Sequence, residues 1–188
     1  MHCSDYLKEA VRIAAEIDPL QVEAIATELA GTRTMRGRVY VIGIGGSAAN
    51  AMHMAADLRK LCELDAYSMD NLAELTARTN DEGFDTIFTG WLWNRIDEDD
   101  ILFVLSVGGG TAGVSSAIVN AIKFAKERGA LVLGIVGPDG GYTAAHGDHV
   151  LRIPAPRHRI TPHTEAFQAV LWHCLVSHPL LQKRAMKW

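Results

Sequence analysis

Twice along this chain a continuous apolar run of strand type ends in glycines and passes directly into a long helical pattern. Val39-Tyr40-Val41-Ile42-Gly43 is followed by Gly45-Gly46-Ser47 and then by helix-forming residues from 48 to about 62. Ile101-Leu102-Phe103-Val104-Leu105 is followed by Ser106-Val107-Gly108-Gly109-Gly110-Thr111 and a helical stretch to about 128, closed by Gly129. An apolar run without alternation fits a strand buried on both faces, as in a parallel sheet covered by helices. Leu131-Val132-Leu133-Gly134-Ile135-Val136, closed by Gly137-Pro138-Asp139-Gly140-Gly141, is a third such run, and Val150-Leu151-Arg152-Ile153 a fourth. A last helix is expected over 162–177. Strands alternating with helices predict an α/β fold with a parallel sheet and helices on both faces.

Two amphipathic helices precede the first strand, over 4–31. Ser4-Asp5 offers an N-cap, and Leu7, Ala10, Val11, Ala14 and Ile17 recur at helical spacing. Asp18-Pro19 breaks the pattern, because proline disfavours helix in the residue before it. A second helix over 20–30 is expected to end at Gly31, leaving Arg33, Arg36 and Arg38 in a connector. No Gly/Ser/Pro-rich linker or tandem repeat interrupts the chain. It reads as one domain, with N-terminal helices over 1–36 and an α/β sandwich over 37–188.

At 188 residues such a domain buries roughly 70% of its unfolded surface and needs no disulfide or metal to fold. Hydrophobic residues make up 48% and charged residues 21%, which argues against disorder and points to apolar surface covered by another subunit. With a net charge of −4, no basic block and no aromatic–basic interleaving, nucleic acid has no electrostatic footprint to bind. Cys3, Cys62 and Cys174 are far apart and form no CxxC, as reduced thiols of a cytoplasmic protein would be. No apolar run reaches the roughly 18 residues a membrane helix needs, so no membrane partner is expected.

Ligands of open α/β sheets sit beyond the C-terminal ends of the strands, where both glycine turns fall, at 43–47 and 106–111. Glycine admits a ligand close to the backbone, and the helix N-terminus behind it favours an anion such as phosphate. Ser47, Ser106 and Thr111 add hydroxyls. Neither turn is a Walker A motif. Gly43-Ile44-Gly45-Gly46-Ser47-Ala48 only approximates the dinucleotide fingerprint. Tight-turn geometry alone is the competing explanation of these glycines.

His53 and Asp57, at i and i+4, share a helix face with small or apolar neighbours, and suit metal binding or proton transfer. The plainer alternative is a buried histidine satisfied by a local carboxylate. The last helix carries Glu165, Gln168 and His173 among apolar residues, and its buried polar groups need partners. His163 and His178 read as surface or capping residues. Asn80-Asp81 falls in an expected polar turn before Gly83-Phe84, for which an Asx turn is the alternative. Trp91 and Trp93 are expected to pack in a core or interface, and Trp188 to fray.

Gly43-Ile44-Gly45-Gly46-Ser47, the helix Ala51-Met52-His53-Met54-Ala55-Ala56-Asp57-Leu58, the turn Asn80-Asp81-Glu82-Gly83-Phe84 and the Glu/His pattern of the last helix together resemble the sedoheptulose-7-phosphate isomerase (phosphoheptose isomerase) family of the sugar isomerase (SIS) superfamily. The resemblance covers about residues 5–178. It implies a three-layer α/β/α sandwich on a five-stranded parallel sheet of flavodoxin-like type, and a homotetramer with active sites between subunits. It also implies a phosphorylated ketose converted to its aldose through an enediol. By position, it implies Asp57 and His173 as the proton-transfer pair. Substrate contacts would come from Gly45, Gly46, Ser47, Asp57, Asn80, Asp81, Ser106, Gly108, Thr111 and Glu165. A zinc ion, present in some members, would be held by His53, Asp57, Glu165 and His173.

The sequence departs from that family at several of these positions. Ile44 replaces the usual Asn, Asp57 the usual Glu, and Glu165 the usual Gln. Ser106-Val107-Gly108-Gly109 replaces a Ser-Thr-Ser-Gly turn, and roughly four extra residues, 112–115, precede the next helix. Glu165 and His173 are eight residues apart, about 12 Å along a straight helix. They share one metal only if the helix begins later, bends, or contributes them from different subunits. The alternatives to a heptose-phosphate isomerase are a non-catalytic sugar-phosphate-binding or adaptor protein of the DnaA initiator-associating type, and an isomerase of another sugar phosphate.

Overall fold

A computed structural model describes residues 1–187; Trp188, expected to fray, lies outside them. Two helices lead, α1 (His2–Glu16) and α2 (Pro19–Met35), then β1 (Arg38–Ile42), α3 (Gly46–Cys62), β2 (Asp65–Ser68), α4 (Leu72–Glu82) and α5 (Ile87–Leu92). The remainder is β3 (Ile101–Ser106), α6 (Ser116–Glu127), β4 (Leu131–Val136), α7 (Gly141–His146), β5 (His149–Arg152) and α8 (Ile160–Val176). The strands are all parallel in the order β2-β1-β3-β4-β5, the flavodoxin-like arrangement. Its topological switch point lies between β1 and β3, so both glycine turns leave the sheet at the crevice where ligands bind.

The central strands are apolar because each face meets a separate helical layer. Val39, Val41, Ile101, Phe103 and Leu105 pack with Ile13, Leu29, Met54, Leu58 and Trp172 of α1, α2, α3 and α8. Their alternates Tyr40, Ile42, Leu102 and Val104 pack with Phe88, Trp91, Ile118 and Ile122 of α5 and α6. This period-two split of continuous apolar runs is what builds the three-layer sandwich. Truncating a buried side chain such as Phe103 to Ala costs about 3–5 kcal/mol.

Several local expectations are corrected. The second helix runs through Gly31 to Met35 and ends on Arg36 at φ 62°. Leu29 and Thr32 are buried on its packed face, which sustains the helix across a glycine costing only about 0.5–1 kcal/mol. The strand β2 escapes residue-level reading because it is a four-residue edge strand in which only Ala66 is fully buried. Asn80 and Asp81 are in the last turns of α4, not in a turn between elements. Trp93 is 58% exposed, stacked on Phe124 at its ring face. His163, read as a surface or capping residue, is fully buried: its ring stacks on Tyr6 and its Nε2 lies 2.8 Å from Glu9 Oε2, docking α1 onto α8.

Candidate functional site

The first glycine turn is built for close approach. A side chain at Gly43 would strike the Ser47 carbonyl, and Gly45 caps α3 at φ 66°, a conformation other residues adopt at a cost. Among the described residues no side chain caps this helix, and Ser47 Oγ is buried without a partner. A buried polar atom left unpaired is uncommon. The Glu165 carboxylate already leans over this end: a Cβ on Gly46 would lie 2.3 Å from Glu165 Oε2. Negative charge suits a helix N-terminus, so the chain's own carboxylate stands where a phosphate would otherwise be drawn.

The second turn has a partly internal purpose. Ser106 Oγ accepts from Gly109 N at 3.0 Å. Thr143, through its amide and hydroxyl, donates to Gly109 O at 2.9 and 2.7 Å, and Tyr142 N donates to Gly110 O at 2.8 Å. Gly109 must be glycine, because a Cβ there would lie 1.9 Å from Gly140 O. Thr111 is exposed and folds back on Val114, accepting from its amide and donating to its carbonyl, both at 3.1 Å. Gly108 stays open, facing a cavity of about 490 Å³ shared with Pro138, Asp139 and Arg157.

The acid–base residues converge elsewhere, between α3 and α8. These helices run side by side in the same direction: Asn50 Nδ2 donates to Glu165 O and Gln168 Oε1 near their start, and Cys62 Sγ lies near Val176 O at their end. Midway, His53 Nε2 lies 3.5 Å from Asp57 Oδ2 and His173 Nε2 lies 3.7 Å from the same oxygen. Trp172 Nε1 donates to that oxygen at 3.3 Å. His173 Nδ1 faces the Ala169 carbonyl at 2.8 Å. A carbonyl only accepts, so Nδ1 carries a proton, and Nε2 is the nitrogen turned toward Asp57.

Three ligand atoms, one from each of His53, Asp57 and His173, lie within 4.8 Å of one another. In a tetrahedral zinc site with bonds near 2.0 Å, ligand atoms stand about 3.3 Å apart. The two histidine–carboxylate distances already approach that spacing, and the set leaves a fourth position open. Asp57 is 16% exposed, His53 58%, so one carboxylate is sheltered while the imidazoles reach the solvent side. With Lys60, Arg184 and Lys187 they line a cavity of about 590 Å³.

The structure does not unite all the predicted site residues in one chain. Glu165 is not in the metal-type cluster: it and His173 belong to the same helix, eight residues and about 12 Å of rise apart. Asn80 donates to Asp81 at 2.7 Å, and both are exposed on α4. From Gly46 to Asp57 is eleven residues of α3, about 16 Å. Sequence reading missed Trp172 as the partner of Asp57, although a buried indole N–H calls for an acceptor. It also missed the residues beyond α8, which show no periodic pattern.

A family profile described as SIS domain matches residues 5–137. A phosphoheptose isomerase from Chlorobaculum tepidum is 36% identical over 79% of this chain and 71% of its own length. The lincomycin biosynthesis protein LmbN from Streptomyces lincolnensis is 33% identical over 92% of this chain, which spans 66% of that protein's length. Among solved structures, a phosphoheptose isomerase from Neisseria gonorrhoeae superposes with a TM-score of 0.84 at 29% identity, covering 93% of this chain and 95% of the other.

Proposed function

The chain belongs to the phosphoheptose isomerase family of SIS domain proteins, and on that basis we propose that it converts sedoheptulose 7-phosphate to D-glycero-D-manno-heptose 7-phosphate through an enediol. It is an enzyme of the isomerase class. The observation that carries the proposal is the convergence of His53 and His173 on one carboxylate oxygen of Asp57. Asp57 removes the C1 proton and returns it to C2. His173, with Nδ1–H tied to Ala169, uses its Nε2 to move protons between the C1 and C2 oxygens. Trp172 holds the carboxylate in place through its N–H. His53, Asp57 and His173 would hold a zinc ion, which would polarise the substrate carbonyl; with its Nε2 on the metal, His173 would be a ligand and not the proton carrier.

Gly45, Gly46, Ser47, Ser106, Gly108 and Thr111 line the phosphate and sugar end of the site. The negative charge of Glu165 over Gly46 favours sugar hydroxyls at the first turn and phosphate at the second. An extended seven-carbon sugar phosphate spans about 10 Å from phosphorus to C1 at ordinary bond lengths. That falls short of the roughly 16 Å of α3 between the first turn and Asp57. In the proposed homotetramer a second copy brings its turns, with Asn80 and Asp81, to the cluster. The apolar side chains Leu7, Val11 and Leu20, exposed on the leading helices, supply surface for such contacts. Among the described residues no helix is long and apolar enough to cross a membrane. Absence of turnover in Asp57→Asn, with sugar-phosphate binding retained, tests the assignment; full activity in that variant would overturn it.

A further inference from the structure

The chain beyond α8 is tied to the end of α3. The last carbonyls of a helix have no partner within it, and here they recruit donors from elsewhere. Arg33 Nη1 donates to Cys62 O at 2.8 Å and to Leu181 O at 2.7 Å, and its Nη2 donates to Leu180 O at 2.7 Å. The amides of Lys183 and Arg184 both donate to Leu61 O, at 2.8 and 3.1 Å. Leu181 is fully buried, and Arg184 Nε donates to Glu63 Oε1 at 3.0 Å. These ties lead residues 184–187 across the last turn of α3, where Arg184, Met186 and Lys187 line the same cavity as His53, Asp57 and His173.

That cavity has an unusual charge balance for a pocket centred on a base. Lys60, Arg184 and Lys187 line it together with one carboxylate and two imidazoles, and Arg184 also pairs with Glu63. Resting on the isomerase reading, we propose that residues 184–187 complete the reaction cavity, Arg184 and Lys187 forming with Lys60 a cationic rim that binds the enediolate oxyanion. When Asp57 takes the C1 proton, the C–H pair becomes the C1–C2 double bond and the carbonyl pair moves onto the C2 oxygen. The new negative charge is on that oxygen, O2, until it is protonated; O1 then gives up its proton as C2 takes one back from Asp57, and no other reactant is consumed. Cations fixed in advance around a developing oxyanion stabilise it without reorganisation. Met186 and Ala185 line the same space.

The test uses the full chain with Arg184→Ala/Lys187→Ala, and a charge-conserving variant, Arg184→Lys/Lys187→Arg. The readouts are kcat, KM and deuterium taken up from D2O per turnover. The expected result is a fall in kcat of at least about 10-fold, more deuterium per turnover, and near-wild-type behaviour in the charge-conserving variant. The Tm should stay within about 2 °C, because the exposed Arg184–Glu63 pair contributes little. Unchanged kcat and deuterium content in the alanine variant would overturn the proposal. If the wild-type chain turns over no ketose phosphate, the isomerase reading fails by itself. The rim is then judged by calorimetric titration with a sugar-phosphate hydroxamate, an enediolate-shaped anion. Binding at least about 10-fold weaker in the alanine variant supports the rim; equal binding, or none to the wild type, overturns it.

Discussion

His173 Nε2 stands 3.7 Å from Asp57 Oδ2, with Nδ1 of the same ring engaged by the Ala169 carbonyl. One backbone oxygen thus sets which nitrogen faces the carboxylate. Because α3 and α8 run in parallel, a histidine from one helix and a carboxylate from the other meet at mid-height without any loop to position them.

Replacing Asp57 by Asn keeps the shape of the site and the Trp172 contact while removing the proposed base. The expected loss in kcat is about 10²–10⁴-fold, with little change in sugar-phosphate affinity. Steady-state kinetics and a binding titration on the same preparation check it.

Trp172→Phe removes the N–H that donates to Asp57 and keeps most of the packing. The loss of one hydrogen bond to a charged group is worth about 1.5–3 kcal/mol, so kcat should fall about 10- to 100-fold while KM changes little. A rise in KM with kcat unchanged would show that Trp172 acts on binding instead.

The metal prediction separates three residues from a fourth. His53→Ala and His173→Ala should each weaken zinc binding by at least about 10-fold, as measured by competition with a chromogenic chelator. Glu165→Ala should leave zinc affinity of the isolated protomer unchanged, because Glu165 is about 12 Å along α8 from His173. An equal loss in all three variants would show that Glu165 reaches the same ion.

Glu165→Gln removes a negative charge from the N-terminus of α3, beside Gly46. If phosphate or sugar oxygens approach there, KM should fall a few-fold. The difference between variant and wild type should shrink as salt rises, since screening weakens charge repulsion.

Much of this arrangement was legible in the sequence, for identifiable reasons. The strands at 39–43, 101–105 and 131–136 are apolar on both faces, and a pattern that strong admits one explanation. His53 and Asp57 lie four apart on one helix, so their pairing is local. What was not legible depends on distant chain meeting by packing: Trp172 reaching Asp57, Arg33 gathering the carbonyls of Cys62, Leu180 and Leu181, and Glu9 meeting His163. Arg33 carries no local sign of its task, and read as part of a connector. His163 resembled a helix-end surface residue because its partners, Tyr6 and Glu9, come from the other end of the chain.

That last contact makes a prediction about acid stability. Hydrogen bonds from His163, Arg159 and His158 hold the Glu9 carboxyl at about 2, below its ordinary 4.5. A carboxyl lowered by folding adds stability that is complete above its unfolded pKa and disappears as pH falls toward the folded one. Glu9→Gln should therefore lower Tm near neutral pH. The gap from wild type should narrow below about pH 4.5 and close near pH 2. A gap constant across that window would remove Glu9 as its source.

The central claim is that this chain moves a proton between C1 and C2 of a ketose phosphate at the His53–Asp57–His173 cluster. The most direct measurement is an NMR time course with sedoheptulose 7-phosphate in D2O, with zinc and with chelator. The account predicts a heptose 7-phosphate aldose appearing with wild type and zinc, slowed by chelator and absent in Asp57→Asn. No aldose, together with no deuterium in the recovered ketose, would contradict it.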